Sequence, residues 1–312
     1  MNNPFTVILT GPTATGKTDL SLELAHYLNS SIISADARQC YKYLDIGTAK
    51  PSEQILARIP HHFISELTPD QTATAAYFAE KTNHWSSGLP PESKGLLVAG
   101  GSTLYIESLI RPLDDLPPKN EQNIHKLESM TSDYGLNYVY EYLQSVDPEY
   151  AKGMDGQNPH RIYRALDVWM QTGKAFSSLH KNQPLVVPEN TMVICLYRDR
   201  KELHERINDR VDQMFRDGLL DEVKGVLDMG YHPELPALRT VGYRECIACL
   251  QNQLSLKDAK EKIKTNTRRY ARRQMTWFRR WSGVKWIYQT SRSSQSVKKE
   301  IINHIKQLAD HS

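Results

Sequence analysis

Val7-Ile8-Leu9-Thr10-Gly11-Pro12-Thr13-Ala14-Thr15-Gly16-Lys17-Thr18, VILTGPTATGKT, stands near the start of the chain and decides how the rest is read. A short apolar run ends in Gly11. The stretch after Lys17, TDLSLELAHYL (18–28), places Leu20, Leu24, Ala25 and Leu28 at helical spacing. This is the pattern G-x-x-x-x-G-K-[ST] in the context it requires, a strand before and a helix after. The glycines let backbone N–H groups turn inward around phosphate oxygens, and Lys17 adds a point charge. The Thr18 hydroxyl is placed to ligate Mg²⁺, and the helix directs its positive end at the same anion. Gly11, Thr13, Ala14, Thr15, Gly16, Lys17 and Thr18 therefore form the expected cradle for a di- or triphosphate ester.

Outward from this cradle the chain alternates. SIISAD (31–36), HHFISEL (61–67) and GLLVAGG (95–101) read as strands, TAAYFAEKTNHW (74–85) as a helix, and a further helix starts at Ser102. Continuous apolar strands alternating with amphipathic helices predict an α/β fold, a parallel sheet covered on both faces. Beyond the Pro-rich RPLDDLPPKN (111–120) the pattern is helical to about residue 183, and TMVICLY (191–197) is again a buried strand. The reading is a P-loop α/β core formed by residues 1–117 and 190–312, interrupted by an all-helical insertion domain over 118–189. Helices at 200–230, 241–251 and 255–281, a short strand at 284–288 and a terminal amphipathic helix within 296–312 complete it.

The bulk properties narrow the class. At 312 residues and 39% hydrophobic, the chain can bury one large core or two smaller ones. No run has the length of a membrane span and no signal peptide precedes the first strand, so a cytoplasmic location is expected. The four cysteines, Cys40, Cys195, Cys246 and Cys249, are too few and too uneven for a disulfide framework. Cys246 and Cys249 form a C-x-x-C with no second Cys/His pair at zinc spacing, and read as small apolar side chains on a helix.

Three other features carry chemistry. Asp36 ends the second strand; it is a metal-side carboxylate, a general base for a group arriving opposite the phosphates, or simply the cap of the next turn. The polar, aromatic and basic segment after it, ADARQCYKYLDIGTAKPS (35–52), reads as a substrate loop. TNTRRYARRQMTWFRRW (265–281) holds six arginines, Arg268, Arg269, Arg272, Arg273, Arg279 and Arg280, with Tyr270, Trp277, Phe278 and Trp281 interleaved. That is a nucleic-acid signal, against the alternative of core aromatics under a snorkelling surface. NPHRIYR (158–164) and LRTVGYRE (238–245) are further basic spots, and together the three suit an extended polyanion. Arg206 and Arg210 share a helix face; they either clamp a pyrophosphate opposite the cradle or pair with Asp209 and Asp212.

Taken together, the chain resembles the tRNA dimethylallyltransferases, also called tRNA isopentenyltransferases, from about residue 6 to 290. The matching stretches are GPTATGKT (11–18), SADARQCYKYLDIGTAKP (34–51), GGSTLYI (100–106), NPHRIYRALDVWMQTGK (158–174), RINDRVDQMFRDGLLDEV (206–223), LRTVGYRE (238–245) and RRQMTWFRR (272–280). DIGTAKP and TVGYRE are the most specific. The resemblance implies transfer of a dimethylallyl group from dimethylallyl diphosphate to N6 of the adenosine 3′ of the anticodon. The cradle would then hold a pyrophosphate leaving group with Mg²⁺ on Thr18, Asp36 would be the general base, and Ser102 and Arg210 would contact the reacting groups. It also implies tRNA contacts from Asp36, Ala37, Arg38 and Gln39; from His160, Arg161, Ile162, Tyr163 and Arg164; and from Arg239, Thr240, Val241, Gly242, Tyr243 and Arg244. Insertion and core would hold the anticodon stem-loop between them, with the target base flipped out of its stack. A monomer is expected.

The chain departs from the family pattern at Ala37, where Ser is usual, at Ser102-Thr103 in place of Thr-Gly, and at Asn158 and His160 in place of Asp and Gln. The zinc finger of eukaryotic members has no counterpart. The competing readings are a P-loop small-molecule kinase with Asp36 activating a hydroxyl, an RNA-binding protein with a decayed P-loop, and an isopentenyltransferase acting on a free nucleotide.

Overall fold

The computed structural model describes residues 5–154, 158–180 and 185–309. The parts of the expected core, insertion and terminal helix that fall on residues 1–4, 155–157, 181–184 and 310–312 lie outside the described residues. The elements in chain order begin with β1 (Thr6–Thr10), α1 (Lys17–Leu28), β2 (Ile32–Ala35), α2 (Glu53–Arg58), β3 (His61–His62), α3 (Ala75–Ser87), β4 (Leu96–Gly100) and α4 (Thr103–Ile110). The helices α5 (Glu121–Tyr134), α6 (Leu136–Val146), α7 (Pro148–Lys152), α8 (Pro159–Thr172) and α9 (Phe176–Leu179) follow. The chain then returns with β5 (Thr191–Tyr197), α10 (Arg200–Arg216), α11 (Leu219–Asp228), α12 (Tyr243–Leu250), α13 (Leu256–Phe278), β6 (Lys285–Tyr288) and α14 (Ser294–Ala309).

The strands form one six-stranded sheet in the order β3-β2-β4-β1-β5-β6, with every pairing parallel. The period of two explains why β1 is apolar throughout. Ile8 enters one core with Ile33, Val98 and Val193, while Val7 and Leu9 enter the other with Leu97 and Ile194. The second core is closed by Leu20, Leu24 and Leu28 of α1 and by Val297, Ile301 and Ile305 of α14. Between β1 and β2 in sequence, the sheet inserts β4. The carboxyl ends of these three strands, which carry the P-loop, Asp36 and Ser102, thus converge where strand order reverses, the place where open α/β sheets bind ligands.

The chain divides into two compact units. One runs up to Arg111 and resumes at Leu185; the other is the stretch between them. The second unit is helical and has its own core of Leu127, Val139, Leu143, Ile162, Leu166 and Phe176. Its buried Asp167 accepts hydrogen bonds from the Asn123 amide (3.0 Å), Arg164 (3.0 Å) and the Gln171 amide (2.9 Å), so α5 and α8 are tied by one carboxylate.

Two expectations are corrected. HHFISEL shrinks to the two residues of β3, because Phe63 and Ser65 turn into the left-handed region directly after it. The stretch 200–230 is two helices, interrupted at Gly218. Cys246 is buried and neither it nor Cys249 is in a disulfide. Among the described residues no helix is long and apolar enough to cross a membrane.

Candidate active site

Gly11 opens the loop with φ 138°, and a Cβ there would meet the Leu196 carbonyl oxygen of β5 at 2.4 Å, so no other residue fits. The loop is held from outside. Arg206 Nε donates to the Ala14 carbonyl (2.8 Å) and Arg198 Nε to the Thr15 carbonyl (3.2 Å). Lys17 Nζ donates to the carbonyls of Gly11 (2.9 Å) and Pro12 (2.7 Å). Burial, and then the nearby Arg210 guanidinium, lower the Lys17 pKa to about 8 against the opposing pull of Asp36 and Cys195.

A cavity of about 470 Å³ lies over the loop, walled by Ala14, Lys17, Thr18, Asp36, Arg206, Asp209 and Arg210 among others. A second, of about 220 Å³, shares Thr13, Asp36, Arg210 and Tyr270 with it and adds Ser102, Val211, Met214, Val241 and Ile263. Asp36 thus stands where a polar chamber, lined by Lys17, Arg206 and Arg210 as well as by carboxylates, meets a more apolar one. Its Oδ1 accepts from the N–H groups of Arg38 (2.9 Å) and Gln39 (3.4 Å), so it caps the turn as well as facing both cavities.

Ser102 lines the smaller cavity only. Its Oγ accepts from the Ala37 N–H (2.8 Å), and its own N–H donates to the Ala35 carbonyl (3.0 Å). The loss of a hydroxyl at Ala37 is therefore without effect on this contact, which uses the backbone. Asn158, another departure, caps α8 through its side-chain oxygen, which accepts from the Arg161 N–H (3.3 Å).

Arg206 and Arg210 both line the larger cavity, and Arg206 spends one N–H on the loop instead of pairing with Asp209. Thr13 turns its N–H to Gln274 Oε1 (3.1 Å), away from the role of phosphate donor expected of it. Several residues expected at RNA are interior. Ile162 and Tyr243 are wholly buried, and Tyr163 packs in the helical core with its hydroxyl on Thr131 (2.7 Å). Arg164 is committed to Asp167 and to the Pro117 carbonyl (2.6 Å). Packing accounts for these positions. His160, Arg161, Arg239 and Arg244 are exposed, Thr240, Val241 and Gly242 line the smaller cavity, and Arg244 is braced by Glu245 (2.7 Å).

α13 carries both a core face and an exposed basic one. Phe278 is buried in the core with Trp281 beyond the helix end, while Arg269, Arg272, Arg273, Arg279 and Arg280 are exposed. Tyr270 is 39% exposed and walls both cavities.

Sequence reasoning passed over Gln274. It is buried, accepts from Thr13 N–H and donates to the Gly101 carbonyl (2.7 Å), joining α13 to the loop and to the turn before Ser102. A polar residue on the buried stripe of α13 was the available signal. His61 also reaches the larger cavity; its Nδ1 is 2.7 Å from the Ile59 carbonyl, and burial, which disfavours the charged ring, lowers its pKa. His62 stacks on Trp85 at 4.9 Å.

The oxygen donors Thr18, Asp36 and Asp209 on the larger cavity suit Mg²⁺, which takes few protein ligands and fills its shell with phosphate oxygens and water. Among the described residues no group of three or more His, Cys, Asp or Glu side chains could cage a metal.

A family model described as IPP transferase matches residues 39–281. The tRNA dimethylallyltransferase of Alkaliphilus metalliredigens is 40% identical over 301 residues, 96% of each chain. That of Salinibacter ruber is 42% identical over 279 residues, 89% of this chain and 86% of its own. The full-length tRNA isopentenylpyrophosphate transferase from Bacillus halodurans superposes with a TM-score of 0.72 at 33% identity, covering 99% of this chain and 97% of its own. A eukaryotic dimethylallyltransferase, described as acting on tRNA, superposes with a TM-score of 0.77 at 25% identity over 96% of this chain and 79% of its own. With a phosphate loop facing a strand-end carboxylate across one cavity, and similarity running through nearly its whole length, the chain belongs to the IPP transferase family and is a prenyltransferase, not a small-molecule kinase.

Proposed function

We propose that this chain transfers the dimethylallyl group of dimethylallyl diphosphate to N6 of the adenosine 3′ of the anticodon in tRNA. The observation that carries the reading is the position of Asp36. It faces the phosphate loop and Arg210 on one side and a small, partly apolar cavity on the other.

The loop amides, Lys17 and Arg210 bind the diphosphate and stabilise the charge that grows on it as the allylic C–O bond breaks. Thr18 would hold Mg²⁺, which would supply further neutralisation of that charge. Asp36 accepts the proton from N6 as the amine attacks the allyl carbon. Val211, Met214, Val241, Ile263 and Tyr270 keep water from the reacting carbon. Ser102 holds the Ala37 N–H and so fixes the turn that presents Asp36. The exposed arginines of α13, with Arg38, Arg239 and Arg244, bind the RNA backbone, and exposed His160 and Arg161 add contacts from the helical unit. The enzyme works as a cytoplasmic monomer.

The test is incubation with labelled dimethylallyl diphosphate, Mg²⁺ and unmodified tRNA beside an ATP control. Label at the adenosine 3′ of the anticodon is the expected result. No transfer, or phosphate moved from ATP to an acceptor, would overturn the reading.

A further inference from the structure

Glu222 lies on α11, within the matching stretch RINDRVDQMFRDGLLDEV, and no role attaches to it above. Its half-buried carboxylate reaches the DIGTAKP loop, a segment distant in sequence. Oε2 accepts from the backbone N–H of Asp45 (2.9 Å) and Ile46 (2.7 Å), and Oε1 from Gly47 (3.1 Å). The Tyr243 hydroxyl donates to Oε1 at 2.6 Å. Successive N–H groups converging on one anion form a nest, and hydrogen bonds to an ionised acceptor are about twice as strong as neutral ones. The Tyr243 ring fills the space beside Gly47 so closely that a Cβ there would lie 2.5 Å from it. Loop, tyrosine and carboxylate therefore interlock.

The loop so held leads to the reacting groups. Gly47 and Thr48 wall the smaller cavity beside Asp36 and Arg210. The carbonyls of Thr48 and Ala49 accept from the Gln39 amide at 3.2 and 3.1 Å. Gln39 in turn donates its backbone N–H to Asp36 Oδ1 (3.4 Å) and accepts from Ser34 Oγ (3.0 Å). A series of hydrogen bonds thus runs from Glu222 through residues 45–49 to Gln39 and Asp36.

We infer that Glu222 is a positioning residue for the transfer step: through its nest on Asp45–Gly47 it fixes the cavity wall, and with it Asp36, against the acceptor base, while touching no substrate itself. This rests on the function proposed above. A residue that only stabilised the fold would reduce the amount of competent enzyme and so depress every activity in step.

Glu222→Gln keeps size but offers an amide NH₂ where one oxygen accepted. Two quantities separate the cases: the single-turnover rate of transfer at saturating tRNA and dimethylallyl diphosphate, and pyrophosphate binding by calorimetry. The expected outcome is a rate lower by about 10- to 100-fold, the range that ångström-scale misplacement produces, with pyrophosphate still bound one-to-one and about as tightly. A rate within about threefold of the parent, or a rate loss matched by loss of pyrophosphate-binding sites, overturns the inference. Should Glu222→Gln not fold, Glu222→Asp, which withdraws the carboxylate from the nest by one methylene, carries the same expectation. Failure of the parent enzyme to label tRNA would instead sink the proposed function, so the two failures are distinct.

Discussion

Replacing Gln274 by Leu removes a clasp whose two ends can be valued separately. The Gly101 carbonyl loses a 2.7 Å hydrogen bond in a fully buried setting. Stranding such a group costs about 1–3 kcal/mol. The Thr13 N–H loses a 3.1 Å bond where its surroundings are only part-buried, so water can partly replace the amide and the cost is about 1 kcal/mol. Leucine fills nearly the same volume, so no cavity adds to the sum. The expected destabilisation is about 2–4 kcal/mol, a large share of the 5–15 kcal/mol of a typical fold. Urea unfolding followed by tryptophan fluorescence measures it, since Trp277 and Trp281 adjoin the clasp on the same segment. The midpoint should fall by about 1 M with unchanged slope. A midpoint within about 0.2 M of the parent would refute the reasoning, because it would mean that Thr13 and Gly101 find other partners. Gln274→Glu sharpens the test. Its carboxylate can still accept from Thr13 but opposes the Gly101 carbonyl, and protonation restores a donor. Its deficit relative to the parent should therefore shrink as pH falls through the carboxyl range.

The remaining predictions concern the chemistry. Lys17 keeps its proton below about pH 8, so the ratio of pyrophosphate affinities, parent over Lys17→Met, should fall as pH rises through that value; a flat ratio would contradict the use of its charge. Because the folded value lies below the ordinary 10.5, the unfolded chain holds the proton more firmly, and stability relative to Lys17→Met should rise between about pH 8 and 10.5. Asp36→Asn retains an oxygen for the Arg38 and Gln39 N–H groups, so it should fold and bind tRNA while transfer drops by about 10²–10⁴-fold. A rate within about tenfold of the parent would remove Asp36 as the base. Arg269→Gln combined with Arg272→Gln should weaken tRNA binding and lower the log–log salt slope by about 1.4–1.8, without altering the rate at saturating tRNA. A slope that does not move would place the RNA elsewhere.

What could be read from the sequence was whatever depends on near neighbours. The P-loop, the buried strands and the helices of the insertion follow from spacing within a dozen residues, and their structure agrees. What could not be read depends on which segments meet. Gln274 reaches Thr13 across 261 positions of sequence, so only the path of α13 over the loop reveals it. Tyr243 and Ile162 sit in motifs with arginines and look like RNA contacts until the packing is seen. Tyr243 is there to fill the space against Gly47, and Ile162 to build a helical core. HHFISEL had strand-like residues, but the left-handed turn at Phe63 and Ser65 is a tertiary choice that composition does not announce.

On the proposed function, one helix, α13, serves donor, acceptor and polyanion together. Residues 270, 274 and 278 recur every fourth position and share a face. Tyr270 on that face walls both cavities, Gln274 grips the phosphate loop, and Phe278 anchors the far end in the core. The arginines fall on the rest of the circumference, where a guanidinium can neutralise phosphate without entering the chamber. Arg273 lies 5.9 Å from the centre of the Tyr270 ring, so the wall aromatic and the outer cations meet at the chamber's edge. On the proposed function, an RNA bound by those arginines would lie beside the chamber that Asp36 and Tyr270 wall. A free nucleotide has no use for this array, whereas an RNA loop needs both faces of the same helix.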